Sequence, residues 1–193
     1  MMRAVHGSTV LYPADGNAAA RLTVAMAEIP GISYLRTTRE KTPILYGPDE
    51  RFEVGGSKVL RASPSDEATI VGAGITVFEA LRAADELAAE GRAVRVIDAY
   101  SVKPIDADTL IRAMAETGLI VVAEDHWMEG GLGEAVLAAL AHAPEVRGRV
   151  VRLGVGAMPG SGTPEELREW AGISSGAIAE RVRGELALRA ELR

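Results

Sequence analysis

At 193 residues the chain can bury about two thirds of its unfolded surface, as one domain plus a flanking segment. Its 48% hydrophobic and 25% charged residues exclude disorder as the default, and a formal charge of -6 argues against non-specific nucleic-acid or anionic-membrane partners. With no cysteine there are no disulfides or thiolate metal sites. No apolar run approaches the roughly 20 residues of a membrane helix. The Met1–Ser8 segment lacks a signal-peptide core, so a cytoplasmic location is expected.

Taken in chain order, Ser8–Tyr12 reads as a strand, and Asp15 as the N-cap of a helix over Gly16–Glu28. Pro30 and Gly31 stop that helix, and Ile32–Arg36 is a second strand. This β-α-β fragment has too few elements for a sheet of its own and is expected to be the tail of a second α/β domain, residues 1–40. Residues 41–56, with Pro43, Gly47, Pro48, Gly55 and Gly56, read as a linker.

From residue 57 to 193 strand and helix alternate. Strands are expected at Lys58–Ala62, Ala68–Gly72, Ala93–Ile97, Leu119–Ala123 and Val150–Val155. The intervening helices are Val77–Glu90, Ala107–Glu116, Gly133–His142, Pro164–Trp170 and Gly176–Leu186. Runs such as Leu119–Val122 are apolar on both faces, as strands between two helical layers require. Val77, Leu81, Ala84 and Ala88 recur at helical spacing, predicting one buried stripe. Capping boxes are expected at Thr76-x-x-Glu79 and at Thr163-x-x-Glu166, the second with Pro164 at the first helical position. The pattern predicts an α/β fold: a mostly parallel open sheet with helices on both faces.

Four stretches are candidate sites. Gly72-Ala73-Gly74, between strand and helix, offers a phosphate cradle but has Val77 where the dinucleotide fingerprint needs a third glycine. A tight turn is the better account. Ala14-Asp15-Gly16-Asn17 lacks a downstream asparagine to complete a metal shell, because Asn17 is the only one in the chain. Glu124-Asp125-His126-Trp127 ends a strand at the edge where open sheets bind ligands. Its adjacent carboxylates must point to opposite faces, which suits hydrogen-bonded loop roles better than an acid–base pair. His126 and Glu129 alone are short of a metal shell. Arg36-Thr37-Thr38-Arg39-Glu40-Lys41 follows a strand and offers arginine forks and threonine hydroxyls to a phosphate. A solvated turn is the alternative.

Several stretches together resemble transketolase. Ser8–Gly16 (STVLYPADG) looks like the late part of the family's pyrimidine-binding domain, and Leu35-Arg36-Thr37-Thr38-Arg39 like the strand end whose last arginine grips sugar phosphate. Glu124-Asp125-His126, the glycine-rich Glu129–Val136 run and Pro159–Leu167 resemble motifs of its C-terminal domain. The resemblance implies residues 57–193 as a transketolase C-terminal domain, and ketol transfer between ketose and aldose phosphates in the pentose phosphate pathway. It implies thiamine diphosphate and a divalent metal (Mg) in the complete enzyme, with none expected on this chain alone. The partner would be the thiamine-binding N-terminal part, sugar phosphates the substrates, and a dimer or other homo-oligomer the assembly.

Of the family's functional residues only Arg39 carries over, as substrate-binding. No catalytic, cofactor or metal residue does. Glu40 stands where the family commonly has proline, and an acid there could compete for the Arg39 guanidinium. The alternatives are the C-terminal domain of a related thiamine enzyme (deoxyxylulose phosphate synthase or an oxoacid dehydrogenase beta subunit), a non-catalytic assembly module, or a small-nucleotide domain using Gly72–Gly74.

Overall fold

The expected strands at Ala68–Gly72 and Leu119–Ala123 form the centre of a five-stranded sheet in a computed structural model that describes residues 1–191. Its order is Lys58–Arg61 (β3), Val94–Asp98 (β5), Ala68–Gly72 (β4), Leu119–Trp127 (β7) and Arg149–Val155 (β8). β5, β4, β7 and β8 run parallel, and β3 pairs antiparallel at one edge. Alternation along β7 divides the core. Ile120 and Val122 face α3 (Ala107–Thr117) and α4 (Leu132–Leu140), packing with Leu110, Met114 and Val136. Leu119, Val121 and Ala123 face α2 (Thr76–Ala89) and α6 (Ser175–Glu191), packing with Ala84, Leu87 and Val182. The helical layers therefore lie on both faces, as the doubly apolar strands require.

The N-terminal strands Thr9–Leu11 (β1) and Ser33–Leu35 (β2) pair in parallel across α1 (Gly16–Ala27). Their sheet is completed by Ser101–Lys103 (β6), which runs antiparallel to β1. Sequence reading missed β6 because three residues ahead of Pro104 show no period. The first region thus takes a strand from the second. Lys103 Nζ adds to the seam by donating to the Arg3 and Val5 carbonyls at 2.9 and 2.6 Å.

Residues 41–56 are packed down along the body. Tyr46 and Phe52 are buried, and Phe52 meets both Tyr46 and Tyr100 edge-on at 4.9 Å between centroids. Asp15 fixes this strap. One oxygen caps α1 through the Ala18 N–H at 2.7 Å, and the other accepts from Leu45 and Tyr46 at 2.6 and 2.8 Å. The Asn17 amide donates to the Tyr46 carbonyl at 2.7 Å.

Three local expectations are corrected. β7 runs to Trp127, past the expected end at Ala123. Of the expected stripe on α2, Val77 and Ala84 are buried and Leu81 packs half-buried against the core, joined by Ala80 and Leu87, while Ala88 is exposed because helix geometry rotates it past the core. Thr76 is no N-cap: it is the first helical residue, and its hydroxyl donates to the Ala123 carbonyl at 2.8 Å, joining α2 to β7. The box at Thr163 forms as expected at the start of α5 (Pro164–Trp170).

Candidate functional site

Glu124 and Asp125 do point opposite ways from β7. Glu124 accepts from the Leu132 and Gly133 N–H groups at 2.6 and 3.0 Å, so its carboxylate caps the glycine-led N-terminus of α4. Gly131 has no side chain because Glu124 fills that space, and a Cβ there would overlap its carboxylate. Burial raises the Glu124 carboxyl above its ordinary value, against the pull of the two N–H groups.

Asp125 faces the N-terminal region. Arg36, just past β2, forks onto it with Nη1 3.1 Å from Oδ1 and Nη2 2.8 Å from Oδ2, and Nη2 also reaches the Asp125 carbonyl at 2.9 Å. Tyr12 donates its hydroxyl to Oδ2 at 2.8 Å, and the Arg36 guanidinium lies 4.5 Å from the centre of the Tyr12 ring. Burial raises the Asp125 carboxyl while Arg36 opposes it, and burial raises the Tyr12 hydroxyl as well. The same ring lies over Gly74 (φ +59°), where a Cβ would overlap it. Tyr12 therefore occupies the space above the Gly72–Gly74 turn in which a phosphate would sit. That turn serves packing between the two regions.

A cleft of about 480 Å³ remains beside this joint, bordered by Tyr34, Arg36, Asp125, His126 and Gly131. His126 places Nδ1 2.7 Å from the Trp127 carbonyl. It cannot share a helical face with Glu129, because β7 holds the chain extended through Trp127. Among the described residues no three His, Asp or Glu side chains converge as a metal shell would need.

The Arg36–Lys41 turn separates into distinct roles. Arg36 is engaged by Asp125 and structural. Arg39 is exposed. Glu40 does not turn back on Arg39, contrary to the competition expected from its position. It pairs instead with Arg168 on α5, whose Nη1 lies 2.6 Å from Oε2 and Nη2 3.4 Å from Oε1. Arg168 is itself buried and also lies 2.8 Å from Glu79 on α2 and 3.3 Å from Glu165. Arg82 pairs with Glu79, and the Ser175 N–H donates to it at 2.9 Å. This cluster floors a cleft of about 960 Å³ that includes Lys41, Thr42, Phe78 and Trp170. Sequence reasoning gave Glu79 only a capping role and did not bring it to Arg168, because Glu40 and Glu79 lie 128 and 89 positions away from Arg168 along the chain. A buried arginine facing three acids leaves no local period.

An open, mostly parallel sheet with helices on both faces and a polar cluster at the carboxyl end of a central strand defines an α/β domain of the doubly wound type. The family model of the transketolase C-terminal domain matches residues 57–178, and the chain belongs to that family. It is 47% identical to transketolase-like protein 1 of Bos taurus over 91% of this chain and 29% of that protein. To transketolase of Homo sapiens it is 42% identical over 95% of this chain and 29% of that protein. The chain thus spans less than a third of these curated relatives. Among solved structures, a split-gene transketolase described as an inactive β4 tetramer superposes with a TM-score of 0.87 at 37% identity, covering 97% of this chain and 60% of that one. Transketolase from Campylobacter jejuni superposes at 0.73 with 18% identity, covering 95% of this chain and 27% of that one, a likeness of fold alone.

Proposed function

We propose that this chain is the C-terminal portion of a thiamine diphosphate-dependent transketolase, in which it supplies scaffold, subunit contacts and the grip on the sugar phosphate. The observation that carries the reading is the state of Arg39. It is exposed at the end of the Arg-Thr-Thr-Arg run, while two of the neighbouring charges are paired elsewhere: Arg36 with Asp125, and Glu40 with Arg168. An unencumbered guanidinium suits a phosphate oxygen pair through a charge-assisted fork.

The chain's own residues do not fit the coenzyme's metal site. Both oxygens of Asp15 accept backbone N–H groups, and the Asn17 amide is held by Tyr46. We therefore assign thiamine diphosphate and its magnesium to the partner portion of the complete enzyme. There the coenzyme would supply the carbanion chemistry of two-carbon transfer, and this chain would orient the phosphorylated end of the sugar. A cytoplasmic homo-oligomer is the setting we propose, by analogy with the β4 tetramer formed by the similar split-gene chain.

Two results test this. The purified chain alone is expected to give no ketol transfer from xylulose 5-phosphate to ribose 5-phosphate, and turnover by it alone would overturn the proposal. In the complete enzyme, Arg39→Ala should raise KM for phosphorylated sugars roughly 10- to 100-fold, the worth of one charged hydrogen-bonding fork. Unphosphorylated sugars should be nearly unaffected. Equal effects on both classes would remove the phosphate role.

A further inference from the structure

We propose that Arg168 is a positioning residue for sugar-phosphate binding: it sequesters the Glu40 carboxylate, so that Arg39 stays without an acid partner among the described residues and a phosphate approaches no bare acid. This rests on the reading of Arg39 given above and adds to it a second element, α5, that sets the charge of the binding turn.

Arg39 and Glu40 are adjacent, so their Cα atoms are about 3.8 Å apart. A glutamate so placed, left to itself, can fold back onto the guanidinium or repel an incoming phosphate. In this structure it does neither, because Arg168 holds both of its oxygens. Arg168 is well placed to keep hold. It is buried, its Nε lies 2.8 Å from Glu79, and α5 is set by the Thr163 capping box and Pro164. Glu79 is in turn held by Arg82 and the Ser175 N–H, so it does not release Arg168 readily. Three carboxylates, Glu40, Glu79 and Glu165, thus face two guanidinium groups, Arg168 and Arg82. Removing Arg168 leaves Arg82 alone to balance the acids and frees the one beside Arg39. The effect on binding is electrostatic, and should therefore depend on the charge of the sugar.

The test uses the complete enzyme, assembled with its thiamine-binding portion, and compares phosphorylated with unphosphorylated sugars. Arg168→Gln should raise KM for phosphorylated sugars about three- to fivefold, as expected for one partly exposed charge. KM for unphosphorylated sugars should move little. The double variant Arg168→Gln/Glu40→Gln should bring the phosphorylated KM back towards the parent value, since the freed charge is gone. A purely structural Arg168 predicts equal losses for both sugar classes and no recovery in the double variant, and either result overturns the proposal. If Arg168→Gln does not assemble, Arg168→Lys decides. It keeps the charge without the fork, and should give a smaller rise that is again confined to phosphorylated sugars; an equal rise for both classes overturns the proposal. An Arg39→Ala variant run alongside separates the two readings. If Arg39→Ala is phosphate-selective and Arg168→Gln is not, only the present inference falls. If Arg39→Ala is unselective, the phosphate reading falls with it.

Discussion

Arg36→Ala is expected to destabilise this chain by about 2–4 kcal/mol, somewhat below the cost of orphaning one member of a fully buried ion pair, because the pair is partly buried. The Asp125 side chain is only 15% exposed and would keep Tyr12 as its sole side-chain partner among the described residues, with the space once filled by the guanidinium left beside the Tyr12 ring. The Asp125 carbonyl would also lose its donor. For a chain of this size the loss amounts to a fall of roughly 10 °C in melting temperature. Arg39→Ala in the same chain is the internal control, since an exposed substitution away from such contacts stays within about 0.5 kcal/mol. Urea denaturation of both variants decides the matter. Comparable midpoints for the two would mean that the Arg36–Asp125 joint contributes no stability.

Asp98→Asn should instead stabilise the chain above neutral pH. Asp98 ends β5 with no exposure; the Tyr46 hydroxyl donates to Oδ2 at 2.7 Å, and Oδ1 has no partner among the described residues. Burial, aided by Asp15 and opposed by the Tyr46 hydrogen bond and by Lys58, raises its carboxyl from 3.8 to about 7. The folded chain therefore holds this proton more tightly than the unfolded chain does. The stability so gained is full below about pH 4, declines as pH rises, and is gone above about pH 7. Asparagine keeps an acceptor for Tyr46 and carries no charge to bury. Its advantage over the parent should be largest near pH 8 and shrink by roughly 2–3 kcal/mol at pH 5. An offset between variant and parent that is the same at both pH values would show that Asp98 does not titrate in this range.

The sheet was legible in the sequence because the physics that makes it is local. Leu119–Val122 had to be covered on both faces, and it is, by α3 and α4 on one side and α2 and α6 on the other. The opposed directions of Glu124 and Asp125 follow from strand geometry alone, and both carboxylates ended as anchors, one for a helix and one for the neighbouring region. What could not be read was pairing at a distance. Arg36 and Asp125 are 89 residues apart, Arg168 and Glu40 128. Nothing near Arg36 distinguishes it from Arg39, yet one is locked and the other exposed. The antiparallel direction of β3 and the existence of β6 were hidden for the same reason, since each depends on a partner strand rather than on its own residues.

Because β6 sits within the chain's second part but hydrogen-bonds with the first, the fold is stitched rather than hinged. Any swivel of residues 1–40 against the body would have to shear the Val10–Lys103 and Leu11–Ser101 pairings along with the Asp15 anchor on the strap. The arginine turn beyond β2 is thereby mounted on the same rigid frame as α5. A change of charge or packing on that helix reaches the turn directly, without crossing a flexible joint.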